Sequence, residues 1–383
     1  MLKKRFIIFF CILLILILIF LLKYDFVKEF DEPSLREKFG IPTNVYVDTP
    51  YAVLLLNERE EIRNFIKQID NLRDLQKYQK KSRKEITELL KMPFPEQKEI
   101  IVENLEIIDK GKYVQNKLRF HTSEITRVPA YLLIPKNIES PAPLILAMHQ
   151  HGNKYGCGKE EVVGNKCNPN LAYGKELAER GYLVFASDIP LFGENYDNVS
   201  GNSPETLETL VAQTLLFMDR PPLGMIVQQD LIALDFLYNL EFVDKNNIGC
   251  IGHSFGGTRC NYLSALDERI KVVAISNSVA YLISKRIVSR TWFAIVPGLA
   301  EIIGKKGLLA LIAPRPQIFV YTENDPAFPK NEAEDIFKDL YKLYDRLGYK
   351  EDIKVIYIAN QTHTFPKEAR EETYKFLDKH LKK

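Results

Sequence analysis

The spacing of apolar and polar positions changes several times along this chain. Phe6 to Leu22 is an unbroken apolar run of 17 residues, just long enough to cross a bilayer as a helix at about 1.5 Å per residue. From Lys28 to about Pro95 the sequence is charged, and Glu58 to Ile69 and Ser82 to Leu90 carry apolar residues at helical spacing. Beyond Glu96 the period shortens, and Tyr113 to Thr122 and Arg127 to Pro135 predict a strand pair. Short apolar runs follow at Leu144 to Met148, Tyr182 to Ser187, Ile248 to Gly252, Val272 to Ser276, Gln317 to Thr322 and Ile353 to Ile358, most of them separated by stretches of helical spacing. That alternation predicts an α/β fold: a doubly wound, mostly parallel sheet buried on both faces by helices. The expected organisation is an anchor over 1–27, a helical lead-in or linker over 28–110 and one α/β domain over 111–383. Gly193 to Leu223 and Val279 to Gly307 interrupt the pattern and read as a lid. Their Phe217, Trp292 and Phe293 suit a pocket lining, with core packing the default for each taken singly.

Lys3, Lys4 and Arg5 precede the apolar leader, and it ends Phe20-Leu21-Leu22 without the small residues a signal peptidase requires, so an uncleaved membrane anchor is expected rather than a signal peptide. Lys23, Lys28, Arg36 and Lys38 follow it, so counting charges does not decide orientation. The tight N-terminal cluster favours a cytoplasmic N-terminus and an extracytoplasmic domain. At 383 residues and 46% apolar the chain can bury a core of its own. Its 52 basic and 50 acidic residues nearly cancel and form no basic stripe, which excludes nucleic acid as a partner. Of the five cysteines, Cys157 and Cys167 share a Gly/Asn-rich loop that they would close in an oxidising compartment, whereas Cys250 and Cys260 read as buried free thiols.

The chemistry concentrates where Ile248-Gly249-Cys250-Ile251 runs into Gly252-His253-Ser254-Phe255-Gly256-Gly257, followed by helical spacing from Thr258 to Leu266. A Gly-x-Ser-x-Gly turn between strand and helix forces the serine into a strained conformation and exposes its hydroxyl at the sheet's C-terminal edge, where the helix N-terminus favours developing negative charge. This resembles the nucleophile elbow of α/β hydrolases, in which an acid and then a histidine follow the serine on loops after later strands. Glu323-Asn324-Asp325-Pro326 follows one late apolar run and His363 the next, and of the six histidines only His363 has that place. Ser254, Asp325 and His363 are therefore the expected catalytic residues, with Glu323 as alternate acid. For the oxyanion, the N–H of Phe255 and of His151, with Gln150 as alternate, are expected donors. His149-x-His151 is also a pattern that binds metals, but no third ligand is placed to complete it, and no metal or cofactor is expected.

Taken in order, Val128 to Pro135, His149-Gln150-His151-Gly152, Leu223-Gly224-Met225 with Asp230, the elbow, Leu309 to Pro316, Asp325 to Pro329 and His363-Thr364-Phe365 resemble the acetyl xylan esterase and dienelactone hydrolase-like branch of the α/β hydrolases, over roughly Val128 to Leu381. The resemblance implies the α/β-hydrolase fold and cofactor-free hydrolysis of a short-acyl or carbohydrate carboxylic ester through an acyl-enzyme. Two departures stand out: dienelactone hydrolases place cysteine where this chain has Ser254, and the branch's usual His-Gly is here His149-Gln150. Rival readings are a serine peptidase or other acyl hydrolase of the same fold, and a membrane-anchored binding protein that kept the scaffold.

Overall fold

The computed structural model describes residues 68–92, 100–123, 126–196, 201–280 and 291–382. The expected span at 6–22 and the first part of the lead-in lie outside them. Among the described residues no helix is long and apolar enough to cross a membrane.

Among the described residues nine strands form one sheet: β1 (Val102–Asp109), β2 (Tyr113–His121), β3 (Arg127–Pro135), β4 (Ala142–Met148), β5 (Leu183–Ser187), β6 (Val243–His253), β7 (Val272–Ser276), β8 (Gln317–Thr322) and β9 (Ile353–Ile358), in the order β1-β2-β3-β5-β4-β6-β7-β8-β9. The first three and β5 pair antiparallel, and β5, β4, β6, β7, β8 and β9 pair parallel. β1 was not foreseen, because Val102, Leu105, Ile107 and Ile108 do not alternate. A register shift between Asn104 and Glu106 breaks the period of two, and the strand lies exposed at the sheet edge.

Helices cover both faces. One carries α1 (Leu72–Leu89), α5 (Pro222–Tyr238), α6 (Phe255–Leu266), α8 (Gly304–Ala310) and α9 (Lys330–Leu347), which meet Leu144, Leu146 and Met148 of β4 in one core. The other carries α3 (Tyr173–Glu179) and α10 (Lys367–Leu381), which meet Ile145 and Ala147 of the same strand. Both faces of β4 are buried, so its sequence is a continuous apolar run rather than an alternation. α1 buries Leu75, Gln79, Ser82 and Ile86 as a single stripe, and Gln79 Nε2 donates to the carbonyls of Leu311 (3.1 Å) and Ala313 (2.6 Å), so this part of the lead-in is packed on the domain. The described residues also hold α2 (Lys159–Val162), α4 (Pro204–Phe217) and α7 (Leu299–Ile302).

Strand order reverses at β4. The chain moves outward from it to β5 and then crosses to β6 on its other side. Crevices at such switch points, beyond the C-terminal ends of the strands, are where open α/β sheets hold ligands. Register puts the relevant loops there together: Met148 pairs with Gly252, His253 with Ser276, Ser276 with Val320 and Thr322 with Ile358.

Candidate active site

Ser254 stands alone between the last residue of β6 and the first of α6, with φ 56° and ψ −124°. A side chain-bearing residue adopts that conformation only when its surroundings enforce it. Glycines supply the enforcement: a Cβ on Gly252 would lie 2.2 Å from the Gly256 carbonyl carbon, and one on Gly256 would lie 2.0 Å from the Met148 oxygen. The second contact also presses the start of α6 against the end of β4, which places the loop after β4 beside the elbow. The Phe255 N–H, first of the helix, has no acceptor within it.

The elbow is further fixed from below. Arg259 of α6 is buried and donates to Asp230 of α5 through Nε (3.0 Å) and to the Ser187 hydroxyl through Nη2 (3.2 Å). Cys250 and Cys260, expected as free thiols, instead form a disulfide with Cα atoms 5.7 Å apart. The tight reversal at Ser254 folds α6 back along β6 and brings the two positions into bonding range. Cys157 and Cys167 form a second disulfide, Cα atoms 6.1 Å apart.

His363 Nδ1 lies 2.7 Å from Asp325 Oδ2. With the carboxylate accepting there, Nδ1 is the donor, and in the neutral ring that arrangement leaves Nε2 its lone pair. The other oxygen of Asp325 accepts from the Ala327 N–H (2.8 Å) and Phe328 N–H (3.1 Å), a turn set by Pro326. The His363 ring lies between His253, with centroids 4.6 Å apart, and Phe328, 5.7 Å away and nearly parallel. Glu323, the alternate acid, faces elsewhere: it accepts from the Asn360 N–H (3.1 Å) and pairs with Lys330 (3.2 Å).

Asn277, just past β7, holds the two late loops. Its Oδ1 accepts from the Thr322 N–H (3.0 Å) and its Nδ2 donates to the Thr364 carbonyl (2.6 Å). Sequence gave no sign of this, since an Asn after a strand is ordinary turn composition. Buried His253 has its Nδ1 3.0 Å from the Ser276 hydroxyl, and burial, with His363 beside it, pushes it well below the usual histidine range.

In the loop after β4, His149 accepts at Nε2 from the Ile189 N–H (3.3 Å) and donates from Nδ1 to the Gln150 carbonyl (2.7 Å). Burial, and secondarily the charge of Arg259, push it down to about 3. His151 is likewise buried. Its Nδ1 accepts from the Asn153 N–H (3.2 Å) and its Nε2 lies 2.6 Å from Glu208 Oε2. All four ring nitrogens are thus engaged within the protein. Gln150 turns its side chain to Glu161 (2.9 Å). Glu208, in α4 of the expected lid, escaped sequence reasoning, although with Glu205 it is one of only two charges on that helix.

Comparison with known proteins gives the same picture at the level of the fold. The family model described as the Abhydrolase family matches residues 47–291. YtaP of Bacillus subtilis (strain 168), provisionally described as a hydrolase, is 30% identical over 292 residues, 75% of this chain and 95% of that protein. Among solved structures, a Bacteroides fragilis NCTC 9343 protein provisionally described as an acetyl xylan esterase superposes with TM-score 0.66 at 19% identity, covering 88% of this chain and 91% of its own. A glucuronoyl esterase from Solibacter usitatus superposes with TM-score 0.56 at 15% identity, covering 77% of this chain and 91% of its own.

Proposed function

This chain belongs to the Abhydrolase family, and from that premise we propose that it is a serine-dependent carboxylic ester hydrolase acting on a short-acyl or carbohydrate ester. One observation carries the reading: Ser254 occupies a strained turn at the sheet edge to which register also brings the Asp325–His363 pair. In the proposed cycle His363 Nε2 takes the Ser254 proton as Oγ attacks the ester carbonyl. Asp325 holds the ring in the tautomer that can accept it and stabilises the imidazolium. The Phe255 and His151 N–H groups receive the oxyanion. The imidazolium protonates the departing alkoxide, and water then releases the acid from the acyl-enzyme by the same shuttle in reverse. The carbohydrate ester class is supported by the descriptions of the two structural neighbours.

The proposal extends to location: residues 6–22 anchor the protein in a membrane and the hydrolase domain lies on the extracytoplasmic side. Two disulfides within that domain favour an oxidising compartment.

The test is turnover of p-nitrophenyl esters of increasing acyl length by the full chain in detergent, with a fluorophosphonate label, for wild type and Ser254→Ala. The expected result is turnover and labelling by wild type and neither by the variant. Folded wild type that neither labels nor hydrolyses any ester refutes the proposal and favours a binding role.

A further inference from the structure

We infer that Glu208 is a positioning residue for the oxyanion side of the site, holding the loop after β4 in register with the elbow from within the lid. The inference rests on the ester hydrolase reading. Its starting point is a cost: Glu208 is 2% exposed, and a carboxylate that deep is tolerated only when donors replace its water. Three donors converge on it from two other segments of the chain. His151 Nε2 and the Tyr155 hydroxyl each lie 2.6 Å from Oε2, and the Phe293 N–H donates to Oε1 at 3.4 Å. Burial alone would raise the Glu208 carboxyl, but the hydrogen bond and the charge of His151, with the hydrogen bonds from Tyr155 and Phe293, outweigh it and hold it below the usual carboxylate range. The group is therefore a fixed negative acceptor at working pH.

What it fixes is the residue expected to supply an oxyanion donor. Because the Asn153 N–H occupies His151 Nδ1, Nε2 is the ring nitrogen that faces Glu208, and the pair of contacts holds the ring in one rotamer. Backbone order beyond it is poorly self-supporting: Gly152 and Asn153 both have positive φ, 55° and 53°. The His151 ring is wedged against Tyr155 (5.3 Å between centroids) and Phe192 (5.0 Å), and meets the Phe255 ring edge-on at 6.4 Å. The two residues whose N–H groups would receive the oxyanion thus touch through their side chains, and Glu208 holds one of them. Releasing it leaves His151 with an unpaired N–H and frees the loop to shift relative to Phe255. A displacement of about 1 Å in such a donor costs up to about a hundredfold in rate. The ground-state ester, which makes weaker demands on those N–H groups than the tetrahedral state, is bound almost as before.

The experiment compares wild type, Glu208→Ala and Glu208→Gln as full chains. It measures kcat and KM for p-nitrophenyl acetate per active site, counted by the fluorophosphonate burst, and inhibition by phenylboronic acid, which becomes tetrahedral on the serine. For Glu208→Ala, kcat falls about ten- to a hundredfold, KM stays within about twofold, and the boronate inhibition constant rises by the same factor as kcat falls. Glu208→Gln, which keeps an acceptor for His151, loses about fivefold in both. A purely structural role predicts fewer active sites with unchanged kcat and boronate affinity in those that remain, and that outcome overturns the inference. If Glu208→Ala does not fold, Glu208→Gln decides: parallel losses support the inference and wild-type values in both readouts overturn it. Wild type that hydrolyses no ester sinks the functional proposal instead, so the two failures are distinct.

Discussion

The two disulfides make a controlled comparison, because each closes a loop of the same sequence separation, 10 residues, but in a different setting. In the chain-entropy treatment a loop of that size removes roughly 9 cal/mol/K from the unfolded ensemble, about 3 kcal/mol at 25 °C. That contribution is common to both. Cys250 and Cys260 are each 0% exposed, so replacing them with alanine also removes two packed sulfurs, about 1 kcal/mol apiece, whereas Cys167 is exposed. A folded unit of roughly 300 residues unfolds with about 0.6 kcal/mol/K of entropy at its midpoint. Cys157→Ala/Cys167→Ala should therefore melt about 5 °C below wild type, and Cys250→Ala/Cys260→Ala about 8 °C below. Catalysis separates them further. The second pair joins the strand and helix on either side of Ser254, so its loss should lower kcat while the first leaves it within about twofold. The assays are calorimetry without reductant and ester turnover well below both midpoints. Thiol counting adds a check: dithiothreitol without denaturant should release two thiols, from Cys157 and Cys167, and four only once the protein is unfolded. If the elbow pair melts no lower than the loop pair and keeps full kcat, the covalent tie contributes nothing that the glycine contacts do not already supply.

Asp325→Asn should keep the fold but lower kcat about 10³- to 10⁴-fold, since an amide stabilises the wrong His363 tautomer; Glu323→Gln, measured beside it, should leave kcat within about twofold. Gly256→Ala drives a Cβ to 2.0 Å from the Met148 oxygen, and because that neighbour is backbone it should either fail to fold or lose more than about 3 kcal/mol in urea unfolding. Buried His149 and His253 stay neutral in the folded protein but charge in the unfolded chain below about pH 6.5, so the unfolded state binds more protons there and stability must fall as pH drops from about 6.5 towards 3. Each contributes a slope of up to about 1.4 kcal/mol per pH unit, and His253→Asn should flatten the urea-midpoint profile between pH 6 and 4.5 by about that much; an unchanged slope would show that His253 charges freely in the fold.

The parts of this fold that sequence exposes are those whose residue pattern is dictated by burial alone. β4, β6, β7 and β8 are covered on both faces, so their apolar runs need no partner to be recognised. The expected site residues were accessible for a similar reason: Ser254 and Asp325 follow such runs, and His363 follows the apolar run of β9, which is only partly covered. β1 stayed hidden because an edge strand with a bulge obeys neither period. The pairing of Cys250 with Cys260 stayed hidden because ten residues of separation would put them far apart on a continuous strand or helix, and only the reversal at Ser254 brings them together. Asn277 and Glu208 act through groups distant in sequence, and their partners include backbone N–H and carbonyl groups that carry no sequence signature.

That division also says where variation can enter without disturbing the chemistry. The Bacteroides fragilis structure shares the fold over 88% of this chain at 19% identity, so the fold tolerates wide substitution. α4 is held differently. Leu210 and Phe217 on it are exposed, as is Met218 just past its end, so burial does not specify its outer surface, and its hold on the site runs through Glu208. A segment held on its inner side by Glu208 and Ala212 and exposed on its outer side can change its outward side chains, and with them the ester admitted, while Glu208 keeps His151 in place. Selectivity should therefore move with substitutions on the outer face of α4, and catalytic rate with Glu208. Leu210→Ala and Phe217→Ala, assayed across acyl chain lengths and sugar esters, should shift the ratio of kcat/KM between substrates with little change in the best kcat, and a uniform fall in kcat across all substrates would refute that separation.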